Sequence, residues 1–344
     1  MRGSKTFLFS AVLALVAAVA AHAQTDAHMD TVPILSGGMA FVPTVQGGQT
    51  TFTSVIAPVL LVPIRDKWLV ESRVTFEGDF ARRDGTGPYA GPVEKEIDYA
   101  EVDYIANRYV TVTAGRFLTP FGLYNERLYP VWVRNLQTEP LILPLEENSS
   151  NGLMLRGGVP VAKNLVINYS AYFSTLSTNN YLDSDRQIGG RIGVFLPKQR
   201  VEVGFSLLHK LQDDRENYYG AHFEWQPRRL PFDVRSEYVD TPSGRGYWIE
   251  PALRLSSINH LHAVTSRTQL VARMQQFVPN GIPDDEELAS VNTKQAEFGF
   301  NYYVADGWRV VASTGRQFSS AGNANVWTVG MTYRFAFPLG HGGR

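Results

Sequence analysis

Apolar and polar side chains alternate with a period of two along most of the chain. In the last segment, one face of the alternation holds Trp327, Val329, Met331, Tyr333, Phe335 and Phe337. The intervening positions of the same segment are small or polar until Arg334. Because successive side chains of a strand point to opposite faces, a period of two predicts β-strands. After the N-terminal segment there is no apolar stripe with helical spacing that is longer than two turns, so the chain is predicted to be all-β.

The alternation and the turn signals between its segments predict sixteen strands. The predicted strands are 37–45, 51–62, 67–80, 96–105, 109–117, 151–157, 164–174, 186–196, 200–210, 217–226, 232–239, 246–256, 264–277, 293–304, 308–318 and 326–337. The first two are the weakest, since Pro43 and Pro58 cannot donate hydrogen bonds to a ladder. Fourteen strands therefore remain an alternative count. Pro251 is a similar interruption in the strand 246–256.

The length of the strands and the spacing of their connections favour a transmembrane antiparallel β-barrel over a soluble sandwich. Many predicted strands have 10–12 residues, whereas strands of soluble proteins usually have about 5–6. The connections are expected to alternate strictly between short turns and longer polar loops, as in outer-membrane barrels. An even strand number places both termini on the side of the short turns, the periplasmic side. An exported soluble β-sandwich that binds glycans stays open as an alternative.

The N-terminus has the features of an export signal. Arg2 and Lys5 precede an apolar run that ends before Ala21-His22-Ala23, a suitable signal-peptidase site. The expected organisation is a signal peptide at 1–23, a barrel at 24–337 and a short C-terminal tail at 338–344. The expected location is the outer membrane.

The composition excludes several classes of function. With 32 basic and 33 acidic residues, the chain has no general attraction for nucleic acid. Since it has no Cys, it has neither disulfides nor a thiolate-based metal site. A mean hydropathy of −0.16 excludes a multi-helix membrane protein. No phosphate loop, dinucleotide fingerprint or nucleophile elbow is present, so we expect no enzymatic activity, no cofactor and no metal.

Residues 115–126 read Gly-Arg-Phe-Leu-Thr-Pro-Phe-Gly-Leu-Tyr-Asn-Glu. This run at a strand end resembles the phosphate-selective porin O/P family of outer-membrane channels. The resemblance implies a porin barrel, and by analogy with porins a possible homotrimer. Two features depart from it. The chain continues past Phe337, whereas a terminal Phe is usual in such barrels. It has seven Lys, although the family's phosphate-selective members have pores rich in Lys and Arg.

Assigning faces by alternation predicts which charged side chains line the lumen. The expected lumen wall is Glu71, Arg73, Glu77, Asp79, Glu101, Asp103, Arg191, Arg235, Arg254, Arg273, Arg309 and Arg334. Acids dominate the third and fourth strands, and Arg is more frequent in later ones. Such opposed charges could orient polar solutes. The alternative is that they only solvate the wall and pair across strands.

The connection 118–150 is the most informative loop. At 33 residues it is too long for a simple hairpin, and such loops are usually functional. It is also rich in apolar residues. We expect it to fold inward, with its apolar side on the wall and with Glu126, Arg127 and Arg134 at the constriction. A loop that caps the barrel or contacts a neighbouring subunit is the alternative.

Two residue types gather near the predicted strand ends. Trp68, Tyr109 and Trp308 lie where the aromatic belts of a membrane protein would lie. Basic residues concentrate at the short turns, namely Arg65, Lys67, Arg108, Lys163, Lys198, Arg200, Arg228 and Arg229. The sequence alone gives no physical reason for this bias.

Together these patterns predict an outer-membrane porin for passive diffusion of ions and small polar solutes. Its expected partners are outer-membrane lipids, lipopolysaccharide and those solutes, and not nucleic acid. A non-channel barrel, plugged by the 118–150 loop and serving as a structural or adhesin-like protein, is the second hypothesis. The identity and charge of the solute are not determined by the sequence.

Overall fold

A computed structural model describes residues 32–82, 86–145, 149–179, 181–212, 215–257, 262–283 and 288–340. The predicted signal peptide at 1–23 lies outside the described residues. The strands are β1 (Ile34–Gln46), β2 (Gln49–Ile64), β3 (Trp68–Arg82), β4 (Tyr89–Ala90), β5 (Val93–Asn107), β6 (Val110–Leu118), β7 (Ser149–Ala162), β8 (Leu165–Ser174), β9 (Gln187–Leu196), β10 (Val201–Lys210), β11 (Asn217–Trp225), β12 (Phe232–Thr241), β13 (Gly244–Arg254), β14 (Thr268–Pro279), β15 (Thr293–Ala305), β16 (Trp308–Ser319) and β17 (Ala324–Pro338).

The sixteen long strands form one closed antiparallel barrel, and the two-residue β4 extends the pairing of β3. Each long strand pairs with its neighbours in sequence, and the barrel closes where β1 pairs with β17. Ile34 lies opposite Pro338, so both ends of the barrel chain are at the same rim. Closure leaves no unpaired edge, which a sheet in hydrocarbon requires. The prediction of a β-barrel is confirmed, and the alternative of a two-sheet sandwich is wrong.

The sixteen-strand count is confirmed, and the alternative of fourteen is wrong. The prolines that made β1 and β2 look weak coincide with local breaks in the ladders. The β1–β17 ladder skips Val42 and Pro43, and the β2–β3 ladder skips Ala57 and Pro58. In the same way, the β13–β14 ladder skips Pro251. Each missing N–H group therefore lies where no ladder bond is made on that side.

The barrel exposes apolar side chains on its outer face and buries polar side chains on its inner face, the reverse of a soluble protein. On β15, Phe298 is 52% exposed on the outer face, whereas its neighbour Glu297 is 4% exposed inside. The same alternation of exposed apolar and buried polar residues runs along β10 and β13. A soluble protein would bury the apolar face. The apolar band of this barrel therefore faces lipid, and the polar face encloses the lumen.

The two rims of the barrel differ in their connections. We call the rim with both chain ends the turn rim; its connections are 65–67, 108–109, 163–164, 197–200, 226–231, 255–267 and 306–307. We call the opposite rim the loop rim. The predicted strict alternation of short and long connections is wrong. The loop rim also holds the tight turns 47–48 and 242–243, and 255–267 at the turn rim is long.

The predicted strand 264–277 begins too early. The chain forms a short α-helix at His262–Thr265, and β14 starts at Thr268. A single helical turn spans too few residues to show a period in the sequence. No helix in the described part of the chain is both long and apolar enough to cross a membrane.

Candidate functional site in the barrel lumen

The segment 115–126 directs the chain from the wall into the lumen. Gly115 (φ +125°) and Gly122 (φ +67°) adopt backbone conformations that favour glycine. Between them, β6 ends at Leu118. Phe121 and Leu123 are then buried inside the barrel. The motif that carries the porin resemblance is therefore the entry of the long connection into the lumen.

Glu237 on β12 fixes this entry point. Its carboxylate accepts hydrogen bonds from the backbone N–H groups of Leu123 (2.6 Å) and Tyr124 (3.1 Å). One residue earlier, the N–H group of Gly122 donates to Ser206 on β10 at 3.1 Å. Backbone groups that have left the sheet need such partners when they are buried. The wall thus supplies the partners that the loop would otherwise find in water.

The loop, defined as residues 119–145, packs apolar side chains on two regions of the wall. Its main cluster joins Phe121, Leu123 and Ile142 to Trp248 and Phe277 on β13 and β14. A separate cluster places Val131 and Trp132 of the loop against small residues of β1 and β2: Ala40, Val42, Val55 and Ala57. The loop therefore crosses the lumen from the β10–β14 wall to the β1–β2 wall. The inward-folding loop that the sequence predicts is confirmed.

Ion pairs and hydrogen bonds hold the middle of the loop. Arg273 on β14, 1% exposed, donates to Glu250 through Nε (3.0 Å) and Nη2 (2.7 Å). The same guanidinium donates from Nη1 to the carbonyl of Thr138 in the loop at 2.7 Å. Asn135 donates to the other oxygen of Glu250 at 2.8 Å. Arg309 on β16 likewise donates to the carbonyl of Val131 at 2.9 Å.

Two of the predicted constriction residues pair with the wall. Glu126 lies 2.5 Å from Nη1 of Arg191 on β9. Arg127 lies 2.7 Å from Glu202 and 3.4 Å from Glu224, on β10 and β11. Burial lowers the pKa of Arg127, but the hydrogen bond and charge of Glu202 outweigh burial and raise it. The net pKa of Arg127 is therefore raised, and it stays charged.

Arg134, the third predicted constriction residue, braces the loop itself. It donates to the carbonyl of Tyr129 at 2.9 Å and to the carboxylate of Glu139 at 2.7 Å. Burial lowers its pKa, but the charge and the hydrogen bond of Glu139 oppose burial, and the net pKa of Arg134 is raised. Burial raises the pKa of Tyr124 to about 12, so its hydroxyl stays neutral. The constriction role of Glu126, Arg127 and Arg134 stays a prediction.

The predicted lumen-wall residues occupy three kinds of position. Some are ion-paired or hydrogen-bonded inside the barrel: Arg73 with Asp98, Glu101 and Asp103 with Arg156, Arg191 with Glu126, Arg235 with Glu224, Arg273 with Glu250, and Arg309 with Thr332. Glu77 and Asp79 line a cavity. Glu71 is half-buried, and Arg254 and Arg334 are exposed near the turn rim. Their roles in selectivity stay predictions.

Sequence alternation missed two buried charges of the lumen. Asp98 is the extra residue of a bulge where Arg73 pairs with Tyr99 and Val74 with Ile97. The bulge turns Asp98 inward, where it pairs with Arg73 at 3.0 Å. Arg116 follows Gly115, whose positive φ breaks the alternation on β6. The glycine at position 115 could have indicated the break in alternation from the sequence. No residue next to Asp98 in the sequence indicates the bulge.

Open space remains on one side of the loop, between the loop and the β3–β5 wall. A cavity of about 670 Å³ is lined by Glu77, Glu94, Tyr129 and Glu139, among others. It adjoins a smaller one of about 210 Å³ that contains Arg73 and Asp98. Glu96, Arg116, Tyr129 and Asp183 line both. We call the two together the vestibule.

Acidic side chains outnumber basic ones around the vestibule. Its acidic residues are Glu77, Asp79, Glu94, Glu96, Asp98, Glu139, Asp183 and Asp185, and its basic residues are Arg73, Lys95 and Arg116. Glu126 and Arg127 line neither cavity. Among the described residues, no group of three or more His, Asp or Glu side chains is placed to hold a metal ion.

No protein-family model matches the chain, and no curated protein matches it in sequence. Solved structures with the same fold include OprB of Pseudomonas putida at high pH, with a TM-score of 0.61 and 8% identity over 90% of this chain and 94% of that one. The outer membrane channel DcaP of Acinetobacter baumannii has a TM-score of 0.52 and 13% identity, over 89% of this chain and 99% of that one. An anion-selective porin of Comamonas acidovorans has a TM-score of 0.50 and 10% identity, over 88% of this chain and 98% of that one.

Proposed function

We propose that the chain is an outer-membrane porin through which ions and small polar solutes diffuse passively. Residues 1–23 would be its export signal, 24–337 its barrel and 338–344 a short tail. The sixteen-strand barrel with an apolar exterior supports this proposal, because barrels of this size enclose an aqueous channel. The structures that share the fold are outer-membrane proteins, which supports the location.

The vestibule is the observation that carries the channel proposal. A polar cavity of about 670 Å³ beside an inward-folded loop is large enough for water and hydrated ions. Charged side chains of β3 and β5, among them Glu77, Glu94 and Glu96, form much of its lining. Catalysis is not part of the proposed function, since the sequence has no phosphate loop, dinucleotide fingerprint or nucleophile elbow. A homotrimer and contacts with lipopolysaccharide stay predictions.

The charge of the vestibule favours cations. Eight acidic side chains surround it against three basic ones. A cleft lined by one sign of charge raises the local concentration of counter-ions. Arg116 and Arg73 partly offset the acids of the smaller cavity, whereas Glu77 and Glu94 face each other in the larger one. This charge argues against phosphate as the solute, as do the seven Lys of the chain.

Planar-bilayer recording in a salt gradient tests both parts of the proposal. We expect discrete conductance steps and a reversal potential of the sign that marks cation preference. The variant Glu77→Gln, Asp79→Asn, Glu94→Gln should lower the cation-to-anion permeability ratio by about two- to tenfold at low salt. At high salt the difference should shrink, because mobile ions screen the acids.

A charge-matched control removes three acids that do not line the vestibule. The variant Asp66→Asn, Glu216→Gln, Asp306→Asn should keep the permeability ratio of the unmodified protein. Anion preference in the unmodified protein would refute the cation proposal while leaving the channel intact.

A plugged, non-channel barrel is the second candidate, and the main loop cluster favours it. Phe121, Leu123 and Ile142 fill the β10–β14 side of the lumen with apolar side chains. If the loop also closes the vestibule, the protein would be structural or adhesin-like. The same recordings decide, since a plugged barrel gives no stable open level.

A further inference from the structure

Basic side chains concentrate at the turn rim. The described residues of its connections include nine basic ones: Arg65, Lys67, Arg108, Lys163, Lys198, Arg200, Arg228, Arg229 and Arg267. The acidic residues of the same connections are Asp66 and Asp306. The loop-rim connections are balanced by comparison. Their described parts hold five acidic residues, Glu126, Glu139, Asp183, Asp185 and Glu216, and four basic ones, Arg127, Arg134, Arg186 and Arg215. The excess of positive charge therefore belongs to one end of the barrel.

These nine side chains are exposed, and their charges are not used within the barrel. Within the described ranges, none of them forms an ion pair with an acidic side chain. Arg200 donates to the amide of Gln226 at 3.3 Å, and Arg267 donates to the carbonyl of Val304 at 2.9 Å. Both partners are neutral. The charges thus remain available to an external anion.

Aromatic side chains mark the depth of this rim in a membrane. Near the turn rim, Trp68 packs on Tyr104 with ring centroids 4.6 Å apart. Trp308 stacks on Tyr333 at 4.4 Å in the same zone. Trp and Tyr concentrate at the membrane–water interface, at the level of the headgroups. Arg108 lies over the ring of Tyr109 at 4.5 Å, which places its cation directly beyond this belt.

The basic residues are spread around the barrel. They occupy six of the seven turn-rim connections, and only 306–307 lacks one. A protein partner would contact one continuous patch of a few neighbouring turns. Lipid headgroups, in contrast, surround a barrel in every direction. A ring of positive charge at headgroup depth matches the geometry of the lipid annulus.

We propose that the turn rim binds the phosphate groups of anionic phospholipids in the leaflet on its own side of the membrane. The ring of cations would attract anionic headgroups electrostatically, as basic residues next to membrane segments do. This inference rests on the proposed membrane insertion and does not require an open channel. It also accounts for the basic bias of the short turns in the sequence.

The test uses the full mature chain refolded into phosphatidylcholine bilayers. Electron paramagnetic resonance of spin-labelled lipids gives the relative association of phosphatidylglycerol and phosphatidylcholine with the barrel. We expect the unmodified protein to prefer phosphatidylglycerol by about two- to fivefold at low salt. The preference should disappear at about 1 M salt, where the screening length is a few ångströms.

Two variants, each with five basic residues replaced, distinguish the contributions of the two rims to the lipid preference. The rim variant Lys67→Gln, Lys163→Gln, Lys198→Gln, Arg228→Gln, Arg229→Gln should lose most of the preference. The control Arg82→Gln, Arg215→Gln, Arg245→Gln, Lys294→Gln, Arg316→Gln changes exposed residues at the loop rim and should keep it. Heat-modifiable migration on a gel checks that both variants fold.

If the unmodified protein shows no preference for phosphatidylglycerol over phosphatidylcholine, the proposal is overturned. An acidic protein would then be the better candidate partner of the turn rim. Equal losses in the two variants would also overturn it, because the effect would then follow net charge. Conductance is recorded on the same samples. A lipid preference in a barrel that does not conduct refutes only the channel, whereas a conducting barrel without the preference refutes only the lipid contact.

Discussion

Deleting residues 124–147 is expected to raise single-channel conductance severalfold. The deletion removes most of the loop, which crosses the lumen from the β10–β14 wall to the β1–β2 wall. A sixteen-stranded barrel without such an obstruction encloses a wide aqueous channel. Leu118 pairs with Ser149 at the base of the loop, so the shortened connection can still join β6 to β7.

The barrel should survive this deletion. Its own ladders are complete without the loop, and the wall residues that lose loop partners, Glu237, Glu250 and Arg273, become accessible to water. Planar-bilayer recording of the deletion variant measures the effect.

The control for this prediction deletes 281–287 in the connection between β14 and β15. Ile282 in that segment is 90% exposed, so its removal should leave conductance unchanged. If deletion of 124–147 also leaves conductance unchanged, the loop does not limit passage. If the unmodified protein shows no open level and the deletion variant does, the loop is a plug and the second candidate function is correct.

Replacing Arg273 by Met is expected to lower the free energy of unfolding by about 3–5 kcal/mol. Arg273 and Glu250 are 1% and 3% exposed and lie 2.7 Å apart. Among the described residues, loss of the guanidinium would leave the buried Glu250 carboxylate with the amide of Asn135 as its remaining hydrogen-bond partner. It would also remove the donor to the carbonyl of Thr138. An uncompensated buried charge is among the most costly changes in a folded protein.

Urea titration followed by heat-modifiable migration measures this loss, and two further variants define its cause. The double variant Arg273→Met, Glu250→Met removes both charges, so it should be more stable than the single variant. Lys210→Met breaks the more exposed pair with Asp185, whose atoms lie 2.8 Å apart, and should cost less than about 1 kcal/mol. If the single and double variants are equally unstable, the cost comes from lost packing and not from the unpaired charge.

Most of the barrel could be predicted from the sequence because its wall repeats a local rule. The alternation on β15 and β17 identifies which side chains face lipid without any knowledge of their neighbours. The rule failed where the backbone departs from a regular strand. The bulge at Asp98 is set by pairing with β3, and the turn at His262–Thr265 is too short to show its own period.

The lumen was less predictable than the wall. Glu126, Arg127 and Arg134 were correctly placed on an inward loop, but their partners come from strands that are distant in sequence. Glu202 lies 75 residues from Arg127, and no local pattern indicates such a pair. The acidic vestibule likewise combines β3, β5, the loop and residues 183–185.

The sequence by itself determined the alternation of apolar and polar faces along the strands, and it favoured sixteen strands and an inward direction of the long connection over their alternatives. These depend on side-chain alternation, on turn residues and on an apolar segment that must avoid water, all of which are local properties. Only the tertiary structure decided which charges neutralise one another and which remain open to the lumen. That outcome depends on the register of strands and the path of the loop, because a charge is paired or free according to what lies within a few ångströms of it in space.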